Sequence, residues 1–330
     1  MSSIPDVFPL RHILSASQFT REQIETIFAV TDQMRQARDK RQALDLLSGR
    51  VISLMFYEPS TRTSQSFQYA VTHLGARFVG SKNAGEFSSA AKGETVEDTV
   101  RTIASYDADL MVMRHKVLGS VAKAAEVSPI PIINAGDGPG EHPTQALLDL
   151  YTLLRLGADR EETTLVLNGD LKYGRTVRSL CRIIIRYWHG APCPIRLVLC
   201  APDAFRMNND ILAELRRAEI SFEETADMEG ALRRADFFYQ TRLQLERLTD
   251  EEEKRRANLV ATDFQLDDRH LALMRPSASI LHPLPRVNEL SPELDADPRA
   301  KYLPYQTRNG MLVRMALLTM ILRPDYVAQL

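Results

Sequence analysis

The sequence predicts an α/β protein of two domains, each a parallel sheet flanked by helices. Three observations carry that expectation. A chain of 330 residues, 44% of them hydrophobic, is long enough to bury two cores. Short apolar runs of strand length recur along it, and segments of helical period lie between them.

Thr20 with Gln23 three residues on fits a capping box, and Ile24, Ile27, Phe28 and Met34 follow near helical spacing, so an amphipathic helix opens the pattern. Val51 to Phe56 is a continuous apolar run. After the polar loop Glu58 to Thr63, Phe67, Ala70, Val71 and Leu74 fall at i, i+3, i+4 and i+7, with Gly75 as the helix stop. Strand signals return at Leu110 to Met113 and Pro129 to Ile133, so the first half reads as successive βαβ units. A helix from Ala146 through Leu147, Leu150 and Leu154 leads out of it. A second series follows, with strands at Leu165 to Asn168, Ile195 to Cys200 and Phe237 to Gln240 and a helical Arg175 to Trp188. Thr249 to Asn258 is charge-dense and is expected as a solvated loop and helix face. Met311 to Leu322, broken by Arg314, is too short to span a bilayer and is expected as a docked terminal helix.

Charge and cysteine usage narrow the function classes. With 41 basic and 43 acidic residues the net charge is −2, which provides no broad positive field for nucleic acid or an anionic membrane. Met1 to Leu14 interrupts its apolar residues with Asp6, Pro9, Arg11 and His12, unlike a secretory signal, so a cytoplasmic location is expected. Cys181, Cys193 and Cys200 are odd in number and lack C-x-x-C spacing, and are expected as reduced packing residues with no metal role.

The chemistry is expected in the loops beyond the carboxyl ends of the strands. Phe56-Tyr57-Glu58-Pro59-Ser60-Thr61-Arg62-Thr63 joins a buried strand to a helix, where backbone N–H groups, three hydroxyls and a guanidinium converge as a phosphate cradle; simple helix capping is the competing reading. Ser88-Ser89-Ala90-Ala91-Lys92-Gly93-Glu94 places one ammonium on a small polar loop, which alone reads as solvated surface. Arg114 follows a strand at the same sheet edge as the Ser60 loop. His142 and Gln145 sit three apart at a helix start and can face one ligand; the preceding glycines fail the dinucleotide fingerprint because Glu141 holds its sixth position. Asn168 to Arg175 is also glycine-bearing, and invites nucleotide binding as the second reading, but its spacing departs from that fingerprint and Arg175 offers a cation for a second anion. Arg242 and Gln244 lie in the loop after Gln240, and His282-Pro283-Leu284-Pro285-Arg286 is a rigid segment whose carbonyls are left to accept hydrogen bonds.

Together, Ser60-Thr61-Arg62-Thr63, Lys92-Gly93-Glu94, Arg114-His115, His142-Pro143-Thr144-Gln145, Asp170 to Thr176 and His282 to Arg286 resemble the aspartate/ornithine carbamoyltransferase family in order and spacing, and among its members the aspartate enzymes. The resemblance runs from the first helix to Arg308-Asn309-Gly310. It implies a carbamoyl phosphate domain over 1–145 plus 306–330, with the C-terminal helix returning to it, and an aspartate domain over 146–305. It further implies a homotrimer with shared active sites, and leaves room for regulatory chains or another pathway enzyme as partners. Ser60, Thr61, Arg62 and Thr63 would hold the phosphate, with Ser88 and Lys92 reaching a neighbouring subunit's site. Thr63, Arg114 and His142 would surround the carbamoyl oxygen; Gln145 and the backbone of Pro283 and Leu284 would hold the carbamoyl amino group. Lys92, Arg175, Arg242 and Gln244 would bind aspartate, and Glu58 would bridge Arg175 and Arg247 in a closed form. No cofactor is implied.

Elementary chemistry agrees with that assignment. Attack of a neutral amine on the carbamoyl carbon builds negative charge on oxygen, which a hydroxyl, a guanidinium and a neutral imidazole donor would stabilise. Two anionic substrates need cations to be held together. The alternatives are carbamoyl transfer to another amine such as ornithine, and, from a different class, a nucleotide-binding α/β protein. The cationic Arg242 loop and the His282-Pro283-Leu284-Pro285 motif favour an anionic acceptor over ornithine.

Overall fold

The computed structural model describes residues 10–82, 93–160 and 162–327. It divides into two compact units, Met1–Leu148 with Asn309–Leu330, and Asp149–Arg308. In the first unit Thr20 caps α1 (Arg21–Asp39): its hydroxyl accepts the Gln23 N–H while the Gln23 side chain accepts the Thr20 N–H, the reciprocal pair expected from the sequence. β1 (Val51–Phe56), α2 (Thr61–His73), β2 (Arg77–Lys82), α3 (Val96–Ala104), β3 (Leu110–His115), α4 (Ser120–Val127), β4 (Ile132–Asp137) and α5 (Pro143–Arg155) follow. The strands are all parallel in the order β2-β1-β3-β4. One face of that sheet packs Met55, Met111, Met113 and Ile132 against Val100 of α3 and Val121 and Ala124 of α4.

The chain passes into the second unit within α5. There β5 (Thr163–Asn168), α6 (Arg175–Tyr187), β6 (Ile195–Cys200), α7 (Asn209–Arg217), β7 (Phe222–Thr225), α8 (Met228–Arg234), β8 (Phe237–Gln240), α9 (Glu251–Leu259) and β9 (Ser279–Leu281) build a parallel sheet ordered β7-β6-β5-β8-β9. Val166, Val198, Phe238 and Ile280, one from each of four strands, share a core with Met228, Ala231 and Leu232 of α8 and with Phe264, Leu290 and Tyr302.

α10 (Thr307–Leu322) returns the chain to the first unit. Leu312, Val313, Met315, Ala316, Leu317, Leu318 and Met320 are each wholly buried, so this largely apolar helix is enclosed on every side. Each large side chain so buried contributes about 1.5–3 kcal/mol relative to exposure. Arg314 is buried among them, donating Nη1 to Ser66 Oγ at 2.8 Å with its guanidinium 5.1 Å from the centre of the Phe67 ring.

Two strands differ from the apolar pattern. β4 begins after Pro131, because neither Pro129 nor Pro131 has an N–H for the ladder. It then runs through the polar Asn134, whose amide donates to Leu14 O at 2.9 Å while its Oδ1 accepts the Gly136 N–H at 2.8 Å. β3 continues past Met113 through Arg114, whose carbonyl accepts the Tyr57 N–H at 2.9 Å. β2, β7 and β9 were not legible as apolar runs, and each is a sheet edge. Edge strands are covered on fewer sides, and β7 carries Glu223 paired to Arg196 and Arg234.

Candidate active site

Both sheets reverse their winding direction once, and the sequence-selected loops lie at those two points. In the first unit the chain moves from β1 outward to β2, then returns to the other side of β1 as β3; in the second it leaves β5 for β6 and β7, then returns beside β5 as β8. The crevice outside the carboxyl ends of such a strand pair is where doubly wound folds bind ligands.

In the first unit, β1 ends at Phe56 in direct register with Arg114 of β3, so the loop opening α2 and the Arg114 side chain start from neighbouring positions. Ser60 is the N-cap of α2, and its backbone carbonyl receives the Ser64 N–H, but its hydroxyl makes no cap hydrogen bond. The capping reading of this serine is therefore not what the structure shows. The N–H groups of Thr61, Arg62 and Thr63 form the first helical positions, which have no intrahelical acceptor and carry the positive end of the helix dipole. Thr63 is buried. Arg62 is exposed by area, while its surroundings desolvate its guanidinium enough to lower its pKa from the usual value.

Arg114 is buried, with Nη1 3.3 Å from Ala135 O and Nη2 2.8 Å from Glu58 Oε2. Glu58 and Arg114, both in the first unit, thus form an ion pair. The neighbouring strand β4 ends at Asp137, and the turn that follows requires Gly138: at φ +51, a Cβ there would sit 2.5 Å from Lys116 O. That turn delivers His142 to the start of α5, where its carbonyl accepts the Gln145 and Ala146 N–H groups. His142 is buried and Gln145 half-buried. Thr144 Oγ1 lies 3.4 Å from His142 Nδ1 and receives Arg314 Nη2 at 3.3 Å. The Thr144 hydroxyl thus links Arg314 to the His142 ring.

In the second unit, Gly169 follows β5 at φ +108, where a Cβ would fall 2.4 Å from Thr241 O, so only glycine lets the loops after β5 and β8 touch. Thr241 Oγ1 accepts the Asp170 N–H and donates to Asn168 O. Asp170 itself is fully buried: Oδ1 accepts the Lys172 and Tyr173 N–H groups, and Oδ2 accepts the Gln244 N–H and its Nε2 at 3.0 Å. Burial pushes this carboxyl up, opposed by those hydrogen bonds. An anionic side chain already collects the loop N–H groups that a pyrophosphate would need, which argues against the nucleotide-binding reading. Arg175 begins α6 and is half-buried. Arg242 pairs with Glu246, Nη1 to Oε2 at 3.2 Å, and that hydrogen bond raises its pKa. Arg247 is exposed in the same loop.

After β9, Pro283 and Leu284 are half-buried, and Leu284 adopts φ +53 before a cis bond to Pro285. That left-handed conformation costs a non-glycine residue about 1–2 kcal/mol. Arg286 is held away by Asp295, Nη2 to Oδ2 at 2.6 Å, beside the Tyr302 ring.

The structure thus gathers Ser60, Thr61, Arg62, Thr63, Arg114, His142 and Gln145 at one edge of the first sheet, and Arg175, Arg242, Gln244, Pro283 and Leu284 at the matching edge of the second. Ser88 and Lys92 lie outside the described residues. Sequence reasoning assigned no role to Asp170 or Glu289. The only signal for Asp170 was a carboxylate between glycines in a strand-to-helix loop. Among the described residues, no group of three His, Cys, Asp or Glu is placed to hold a metal ion, and no helix is long and apolar enough to cross a membrane.

Residues 11–155 match the family profile described as aspartate/ornithine carbamoyltransferase, carbamoyl-P binding domain, and residues 161–321 match the Asp/Orn binding domain of the same family. The chloroplastic aspartate carbamoyltransferase of Arabidopsis thaliana is 41% identical over 96% of this chain and 78% of its own. The aspartate carbamoyltransferase catalytic subunit of Methanothrix thermoacetophila is 42% identical, over 94% of this chain and 98% of its own. Among solved structures, aspartate transcarbamoylase from Trypanosoma cruzi in complex with N-(phosphonacetyl)-L-aspartic acid superposes with a TM-score of 0.86 at 38% identity, covering 94% of this chain and 96% of that one.

Proposed function

This chain belongs to the aspartate/ornithine carbamoyltransferase family, and on that premise we propose that it transfers the carbamoyl group of carbamoyl phosphate to the amino group of L-aspartate, giving N-carbamoyl-L-aspartate and phosphate in pyrimidine biosynthesis. The observation that carries this reading is the pair of anion-ready loops at the two winding reversals, one built on Ser60 to Thr63 and Arg114, the other on Arg175 and Arg242.

Carbamoyl phosphate fits the first. The N–H groups and hydroxyls of Ser60, Thr61 and Thr63, with Arg62 and, from a neighbouring subunit, Ser88 and Lys92, take the phosphate. Thr63, Arg114 and a neutral His142 acting as donor face the carbamoyl oxygen, and Gln145 with the Pro283 and Leu284 carbonyls takes the amino group. Aspartate fits the second, its carboxylates on Arg175, Arg242, Gln244 and Lys92. Its neutral amine attacks the carbamoyl carbon; the C=O electron pair moves onto oxygen, where the three donors stabilise it. Collapse expels phosphate, which takes the amine's proton, so no protein base is needed. Because the amine must reach the carbamoyl carbon, turnover includes domain closure, with Glu58 bridging Arg175 and Arg247 in the closed form.

Apolar surface supports assembly into a homotrimer. Phe78 and Val79 on the edge strand β2 are 40% and 66% exposed, and Tyr69 on α2, which packs against that strand, is 60% exposed. Three free cysteines fit a reducing, cytoplasmic setting. The Methanothrix relative's name as a catalytic subunit supports regulatory chains as further partners. The test of the function is competition by N-(phosphonacetyl)-L-aspartate. Inhibition competitive with carbamoyl phosphate and at least as tight as either substrate is expected; no inhibition at millimolar concentration refutes the reading.

A further inference from the structure

The turn between β9 and Leu290 is built around two buried ionisable side chains that the reaction does not use. His282 and Glu289 are 2% and 5% exposed, and His282 Nε2 lies 2.9 Å from Glu289 Oε1. The other ring nitrogen, Nδ1, accepts the Leu284 N–H at 2.7 Å. A nitrogen that accepts carries no proton, so the ring is neutral and donates its Nε2–H to the carboxylate. Glu289 Oε2 accepts the Val287 and Asn288 N–H groups, each at 3.1 Å. Burial pushes the Glu289 carboxyl up, but the His282 and backbone hydrogen bonds outweigh it and hold it below the usual carboxylate range.

The consequence lies in the backbone. Leu284 is held at φ +53, where leucine does not rest unaided. The hydrogen bond from its N–H to Nδ1 holds that conformation, and φ at this residue sets how the Pro283–Leu284 peptide plane is turned relative to the next. A buried carboxylate and imidazole stabilise a fold poorly compared with packed apolar side chains. They do define one orientation of the segment they grip.

We propose that Glu289 and His282 are positioning residues that hold the Pro283 and Leu284 carbonyls in the orientation that accepts the carbamoyl amino group, and so confer recognition of carbamoyl phosphate over phosphates lacking that group. This rests on the carbamoyl-transfer reading above. Glu289 fixes the tautomer, the tautomer leaves Nδ1 as acceptor, and Nδ1 fixes Leu284. Neither side chain touches substrate.

Two substitutions separate positioning from stability. His282→Asn places an amide oxygen about where Nδ1 lies and keeps the Leu284 acceptor; His282→Gln reaches about as far as Nε2, keeping Glu289's neighbour but losing that acceptor. The readout is the ratio of dissociation constants for carbamoyl phosphate and acetyl phosphate, which carries a methyl in place of the amino group. Wild type is expected to prefer carbamoyl phosphate, His282→Asn to keep that preference within about threefold, and His282→Gln to lose about tenfold or more of it. An unchanged preference in both variants, whatever their melting temperatures, overturns the proposal, as does a greater loss in His282→Asn. If neither variant folds, the ¹⁵N shifts of His282 in the wild type decide: a bare Nδ1 supports the proposal, and a protonated Nδ1 overturns it. Wild-type turnover with aspartate distinguishes the two levels. An inactive wild type fails the functional reading, whereas an active one with unaltered ratios fails this inference alone.

Discussion

Glu58 Oε2 lies 2.8 Å from Arg114 Nη2, a pairing that joins the loop after β1 to the end of β3. Glu58 is also the residue proposed to bridge Arg175 and Arg247 in the closed form. Glu58→Gln weakens both, leaving Arg114 buried with less compensation. We expect a loss of turnover of about tenfold or more together with a raised KM for aspartate, read by steady-state kinetics. Unaltered turnover and aspartate affinity would remove Glu58 from the closure step.

Arg62→Ala tests the phosphate cradle. The residue is the second of α2, and its side chain supplies charge-assisted bonds of about 1.5–3 kcal/mol each. The variant should fold normally and lose carbamoyl phosphate affinity by at least about tenfold, with turnover reduced further because the leaving phosphate is no longer held. Retained activity contradicts the assignment.

Arg314→Met tests how α10 is fastened. The substitution keeps most of the buried volume but deprives Ser66 and Thr144 of their donor and Phe67 of its cation. A destabilisation of about 2–4 kcal/mol is expected in chemical denaturation, since the buried Thr144 hydroxyl and the half-buried Ser66 hydroxyl both lose a charged donor. Because Thr144 also meets His142 Nδ1, the folded variant should show lower kcat as well.

The thiols offer a check independent of the site. Burial pushes Cys181 and Cys200 up to about 12 and Cys193 up to about 11. A higher thiol pKa means less thiolate at a given pH, so at pH 8 the native protein should resist iodoacetamide and label fully only on unfolding. Rapid labelling of the native protein contradicts these thiols' burial.

Much of the first half-site was legible in the sequence because its chemistry coincides with strand ends. An apolar run such as Val51 to Phe56 announces where it stops, and the polar residues that follow are then fixed at a sheet edge. β2 and β7 escaped because these edge strands mix polar and apolar residues on partly open faces, and β9 because three buried residues are too short a run to read as a strand. The partners that hold the site were hidden for another reason. Thr144 and Arg314 are separated by 170 positions, and Gln244 and Asp170 by 74. No local period encodes contacts of that span. Leu284 hid differently: a left-handed leucine breaks the rule that reserves such positions for glycine, and its N–H is held by a side chain, His282, that no local pattern marks for that task.

Aspartate as the acceptor is tested directly by product analysis. The protein is incubated with carbamoyl phosphate and either L-aspartate or L-ornithine, and the carbamoylated product and released phosphate are quantified together. Equal amounts of N-carbamoyl-L-aspartate and phosphate, with no citrulline above the uncatalysed rate, are predicted. Citrulline formation with no carbamoyl-aspartate would contradict the assignment of Arg175, Arg242 and Gln244 to an anionic acceptor.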